Sequence, residues 1–204
     1  MMWKGFQRPN RLEVDEESGN YGRFTAQPLE RGWGTTVGNA LRRVLLSSIE
    51  GAAITAVKID GVEHEFTAMP GVVEDVTDVI LNLKSLAIRM HEDGPRTLVL
   101  DAKSKGLVTA DAFEDDAQVE ILNPEAPVAT LADGGRLRLE ATVTKGRGYV
   151  PADRNFDAEA PIGTIPLDSA HSPVRRVNYH VEAARVGQAT DYDKLVLEVW
   201  TNGT

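Results

Sequence analysis

The acidity of this chain is confined to its middle. Residues 51–171 hold 11 basic and 21 acidic side chains, a net of −10, whereas residues 1–50 carry 7 and 6 and residues 172–204 carry 4 and 4. A composition step at both ends of a central block is what an inserted domain gives, with the two flanks folding together into a second domain. A single domain with one acidic face gives the same counts, and the charges alone leave both readings open. Either way, a chain of 204 residues buries about 70% of the surface that its unfolded form exposes, enough for a core without staples. It has none: cysteine is absent, which also removes thiolate nucleophiles and Cys-ligated metals. The total charge of −9 makes a poor surface for nucleic acid, whose binding needs clustered Lys and Arg. No window approaches about 18 uninterrupted apolar residues, and Met1-Met2-Trp3-Lys4-Gly5 leads into no apolar core of a signal peptide. The expectation is a cytoplasmic protein.

Strand signals dominate. Val177, Tyr179, Val181 and Ala183 alternate with polar residues, and Leu195-Val196-Leu197-Glu198-Val199-Trp200 is a second β-rich run. Residues 11–14, from Arg11 to Val14, and 21–29 read as strands joined by Ser18-Gly19-Asn20. Thr55, Val57 and Ile59 lead into Asp60-Gly61, and Val62, His64 and Phe66 follow, a pattern that predicts a hairpin. Leu137, Leu139, Ala141 and Val143 alternate after Gly134-Gly135. Two segments are helical. One opens at Pro70-Gly71 and carries Val72 or Val73, Val76, Val79 or Ile80, and Leu83 at helical spacing, with Glu74, Asp75 and Asp78 near its positive end. The other spans residues 36–49, with Thr35 or Thr36 as N-cap and Gly51 just past its end. Sheets with few helices argue an α+β fold.

The helix over residues 36–49 has more apolar surface than one core face needs. Val37, Ala40, Leu41 and Val44 cluster on one side, Leu45 and Ile49 widen the stripe, and Leu46 falls about 180° from Val37, beside Asn39 and Arg43. Burial on two sides, against its own sheet and against a second chain, accounts for Leu46 and for Arg42-Arg43. A core helix with one solvated Leu and two surface Arg accounts for them as well.

The search for chemistry finds little. His64, His91, His171 and His180 show no metal-binding spacing, and there is no nucleophile elbow or P-loop. Lys145-Gly146-Arg147-Gly148-Tyr149-Val150-Pro151 has the basic and glycine content of a phosphate-ligand site, but it is not GxGxxG and no helix-forming run follows. An ordinary loop with surface Arg fits it better. Asp115-Asp116 reads as a solvated turn. The chain reads as a binding or assembly protein with no chemistry of its own.

The same residues carry a family resemblance. Residues 28–48, Pro28-Leu29-Glu30-Arg31-Gly32-Trp33-Gly34-Thr35-Thr36-Val37-Gly38-Asn39-Ala40-Leu41-Arg42-Arg43-Val44-Leu45-Leu46-Ser47-Ser48, resemble the signature of the bacterial RNA polymerase alpha subunit. Ile59-Asp60-Gly61-Val62-Glu63-His64-Glu65-Phe66, Leu81-Asn82-Leu83-Lys84, Gly146-Arg147-Gly148-Tyr149-Val150-Pro151, Ser172-Pro173-Val174-Arg175-Arg176-Val177 and Asp191-Tyr192-Asp193-Lys194-Leu195 resemble it in the same order.

The resemblance implies two domains: residues 1–50 plus 172–204 for dimerisation and beta assembly, and 51–171 as a β-rich insert. It implies a homodimer formed through the first helix (Val37, Leu41, Val44, Leu45 and Ile49) that recruits beta through Arg43 and Leu46. Beta prime follows, on the side of Lys84, Leu167, Asp168 and Lys194. It further implies a non-catalytic subunit of DNA-directed RNA polymerase with no cofactor on this chain, the catalytic Mg²⁺ lying on beta prime. The family continues beyond Asn202-Gly203-Thr204 into a further helix, a linker and a DNA-binding C-terminal domain, so the expectation is part of a longer subunit whose DNA contacts lie elsewhere. Residues 153–161 correspond to a region that some members use to touch activators; here the segment holds Asp153, Asp157 and Glu159, and its role stays open. The other readings are a stand-alone homodimeric interaction module and a phosphate-ligand binder using residues 145–151.

Overall fold

The computed structural model describes Pro9, residues 12–186 and residues 189–204; Arg11, expected in the first strand, lies outside them. The chain divides into two compact units, Met1–Ile49 with Pro173–Gly203, and Glu50–Ser172 together with Thr204. The first unit begins with β1 (Leu12–Ser18), β2 (Tyr21–Glu30) and α1 (Trp33–Ser47). The second runs β3 (Glu50–Ile59), α2 (Val76–Lys84), β4 (Ile88–Met90), β5 (Arg96–Ala102), β6 (Gly106–Thr109), β7 (Val119–Ile121), β8 (Pro127–Leu131) and β9 (Leu137–Arg147). It closes with β10 (Tyr149–Val150), the single turn α3 (Ala152–Asn155), β11 (Thr164–Pro166) and β12 (Ser169–Ala170). The first unit is then completed by β13 (Val174–Val186) and β14 (Ala189–Thr201). The class is α+β, with many strands and few helices.

In the first unit the sheet order is β1-β2-β14-β13, antiparallel throughout. The two ends of the chain meet in the β2–β14 ladder, where Tyr21 faces Trp200 and Thr25 faces Val196. The Tyr21 and Trp200 rings lie 5.0 Å apart, and the Arg176 guanidinium sits 4.7 Å from the Trp200 ring centre. Pro28 has no N–H to give, and the ladder skips beside it: Asp193 pairs with Leu29 and Leu195 with Ala26.

In the second unit α2 buries Val76, Val79, Ile80 and Leu83 in a core that also holds Val57, Leu100, Val128, Leu139 and Val143. Each such side chain contributes about 1.5–3 kcal/mol when removed from water. The main sheet has the order β11-β3-β9-β5, and the pairs β4–β7, β6–β8 and β10–β12 flank it.

Two expectations fail here for physical reasons. The helix does not open at Pro70-Gly71 but at Asp75, whose carboxylate accepts the Asp78 N–H at 2.8 Å. The preceding residues turn and bond to β8 instead: Val73 donates to the Thr130 carbonyl, and the Glu74 carboxylate takes both the N–H and the hydroxyl of Thr130. Nor does Asp60-Gly61 make a hairpin. Gly61 does adopt φ +79°, but Val62 folds back to the Ile59 carbonyl and no strand returns, because β9 and β11 already occupy both edges of β3.

Candidate functional site

The first candidate surface is α1, and two glycines decide how it sits. Gly34 and Gly38 are its buried residues; a Cβ at Gly38 would lie 2.5 Å from Tyr179 Cδ2 and 2.9 Å from Leu195 Cδ1. Lacking side chains, they bring the helix close onto β13 and β14. The helix begins at Trp33, earlier than expected, behind Gly32 in the left-handed region at φ 85°. Its cap comes from the sheet: the Asp193 carboxylate accepts the N–H groups of Gly32 at 2.8 Å and Gly34 at 3.1 Å. Thr36, a candidate cap, instead bonds its hydroxyl back to the Gly32 carbonyl, and Gly51 lies in β3 rather than at the helix end.

The glycines also correct the expected face. Leu45, Leu46 and Ile49 are half-buried against Val174, Val177 and Leu197, so Leu46 points into its own unit's core. Leu45 and Ile49, expected at the contact with a second chain, are thus on the sheet side, and only the rest of the stripe lies outside: Leu41 is 39% and Val44 51% exposed, with Trp33, Ala40 and half-buried Val37 beside them. An apolar periodicity count gives glycine no weight, so the pattern points to a different side of the helix from the one that Gly34 and Gly38 bury. Arg42 and Arg43 are exposed, Arg43 lying opposite Gly34 on the helix.

The second surface is a groove of about 470 Å³ between α2 and the chain around β11 and α3. Lys84, Leu167 and Asp168 come together in it. Lys84 Nζ lies 2.6 Å from Asp168 Oδ1, and the Tyr149 hydroxyl donates to Asp168 Oδ2 at 3.2 Å. The hydrogen bond from Lys84 holds the Asp168 carboxyl below the usual carboxylate range, against partial burial, which pushes it up. Leu167 is buried, its N–H on the Thr55 carbonyl and its own carbonyl accepting Asn155 Nδ2 at 2.7 Å, so it forms floor rather than rim. Nothing in the sequence singles out Asn155, and Tyr149 stands out only as part of the 145–151 segment, with no sign of its bond to Asp168. Tyr149 stands right after Gly148, whose φ of +64° turns the chain, and that Gly-Tyr step was the available signal.

Lys194 belongs to the first unit, on β14, where Glu182 accepts from it at 3.1 Å and His180 Nε2 lies 3.2 Å from the other carboxylate oxygen. Lys194 accordingly holds Glu182 below its ordinary range.

The basic segment 145–151 is no open loop. Lys145, Gly146 and Arg147 end strand β9, Lys145 pairs with Asp93 at 2.8 Å, and Arg147 Nε donates to Glu50 at 3.0 Å. Gly146 makes room for the buried ring of His171, whose Nε2 lies 2.9 Å from Ser169 Oγ and whose Nδ1 lies 3.2 Å from the Gly51 carbonyl. Among the described residues no group of three or more His, Asp or Glu could hold a metal ion, and no helix is long and apolar enough to cross a membrane.

Residues 57–172 match the RNA polymerase Rpb3/RpoA insert domain. Over 200 residues, 98% of this chain, the sequence is 60% identical to the DNA-directed RNA polymerase subunit alpha of Symbiobacterium thermophilum. Over 194 residues it is 58% identical to the protein of the same name from Moorella thermoacetica. The chain spans 64% and 62% of the lengths of these two curated relatives.

Proposed function

The chain belongs to the bacterial RNA polymerase alpha-subunit family, and on that premise we propose that it is a non-catalytic assembly scaffold of the polymerase. Two copies pair through the outward stripe of α1, the pair takes up beta, and beta prime follows. One observation carries the reading: α1 is seated on its own sheet through Gly34 and Gly38, which leaves Leu41 and Val44 uncovered on a helix that is otherwise well anchored. Exposed apolar side chains in a stripe along a rigid helix fit a partner's helix better than they fit water. Arg43, on the side away from the sheet, is placed to offer its planar fork to beta, with the uncovered edge of Leu46 nearby. Lys84 and Asp168 with buried Leu167 beneath them, and separately Lys194, serve beta prime. In this reading the nucleotide chemistry and its Mg²⁺ lie on beta prime, and this chain supplies no cofactor ligand.

Light scattering tests the first step. The native chain is expected at dimer mass and Val44→Asp, at the centre of the stripe, at monomer mass; a Val44→Asp dimer would count against the stripe as the contact. Arg43→Ala tests the second step: a folded variant that still co-elutes with beta at native affinity would remove Arg43 from that interface. The alternative reading as a phosphate-ligand binder has less support, since Lys145 and Arg147 are each engaged by a carboxylate.

A further inference from the structure

The groove beside α2 carries more negative charge than its own chain neutralises. Glu65, Asp153, Asp168 and Lys84 line it, and Lys84 is held by Asp168, so two carboxylates, Glu65 and Asp153, face it without an ion-pair partner among the described residues. Its floor is apolar: Ile80, Ile165 and Leu167 are 9%, 7% and 4% exposed, while Leu81 at the lip is 56% exposed. Both walls are pinned. The Thr77 hydroxyl donates to the Glu65 carbonyl at 3.2 Å on one side, and Asn155 holds the Leu167 carbonyl on the other. A groove fixed in this way binds without a large ordering cost.

We propose that the groove seats an apolar side chain of beta prime that is flanked by Lys or Arg. The inference rests on the reading that this face receives beta prime, and it specifies which kind of segment is taken. An acidic segment would be repelled by Glu65 and Asp153. A purely apolar one would strip water from both carboxylates and return no hydrogen bond. A segment mixing the two covers Leu81 and meets both charges. Lys84 on this view does not reach for the partner; it is a positioning residue that fixes Asp168.

The test uses alpha–beta complexes assembled from the full-length subunit. Glu65 and Asp153 are both exposed, so the double variant Glu65→Gln with Asp153→Asn keeps the fold. It is expected to bind beta prime about tenfold more weakly at low salt and to show a flatter decline of affinity with added salt. A photoreactive phenylalanine analogue in place of Leu81 is expected to cross-link to a beta-prime segment with Lys or Arg beside an apolar residue. Unchanged salt dependence, or a cross-link to an acidic or uncharged segment, overturns the inference and leaves the scaffold reading standing. Failure of the native complex to take up beta prime overturns both.

Discussion

Lys84 and Asp168, 84 residues apart in the chain, meet at 2.6 Å between Nζ and Oδ1 and so tie α2 to the segment between β11 and β12. Their side chains are 29% and 39% exposed, and solvent screens what the pair contributes. A double-mutant cycle of Lys84→Met and Asp168→Asn, followed by denaturant unfolding, is expected to give a coupling of roughly 0.5–1 kcal/mol. Because the folded pKa of Asp168 is lowered, its stabilisation is present above about pH 4 and lost as pH falls through the lowered value. Zero coupling would mean that the contact is carried by packing alone.

His171 titrates in the opposite sense. Burial pushes its pKa below the ordinary histidine value, with the Gly51 and Thr144 carbonyls pulling weakly the other way. The unfolded chain therefore takes up a proton before the folded one does, and stability falls as pH drops below about 6.5. Melting temperature should decline on going from about pH 7.5 to about pH 5.5, and His171→Gln should lower it at neutral pH while flattening that slope. A native slope unchanged in His171→Gln would assign the decline to other groups.

Gly38→Ala places a methyl group 2.5 Å from Tyr179 Cδ2. The helix must lift or the ring must move, at an expected cost of about 1–3 kcal/mol in denaturant unfolding. A stabilised variant, as an ordinary helix position would give, would contradict the close approach of α1 to β13.

Asp193→Ala removes the carboxylate that caps α1, with an expected loss of about 1 kcal/mol. Asp193→Asn keeps an acceptor oxygen and should lose less. Equal losses would mean that the charge outweighs the hydrogen bonds, which added salt would then reduce.

The strands were the legible part of this fold, because alternation is local: Val177 to Ala183 and Leu137 to Val143 sit in β13 and β9 as their pattern required. What escaped depended on distant neighbours. Nothing near Asp60-Gly61 says that both edges of β3 are taken, and nothing near Thr36 says that an aspartate at position 193 caps the helix. The buried face of α1 is set by the close approach that Gly34 and Gly38 allow to β13 and β14, which a pattern of apolar side chains does not register. In the groove, Lys84 and Asp168 come from the family resemblance, whereas the bond of the Tyr149 hydroxyl to Asp168 and the place of Glu65 depend on how the chain folds.

The β2–β14 ladder sets an order of events during synthesis. Tyr21 bonds Glu198 across 177 residues of chain, so the first sheet stays unfinished until nearly the last residue described has left the ribosome. The segment from Glu50 to Ser172 closes its own ladders from contiguous chain and meets no such delay. Throughout that interval α1 has neither its cap from Asp193 nor the strand that Gly38 packs on. Until β13 and β14 emerge, α1 therefore leaves uncovered both the side chains that later pack on that sheet and those that the finished molecule keeps outside.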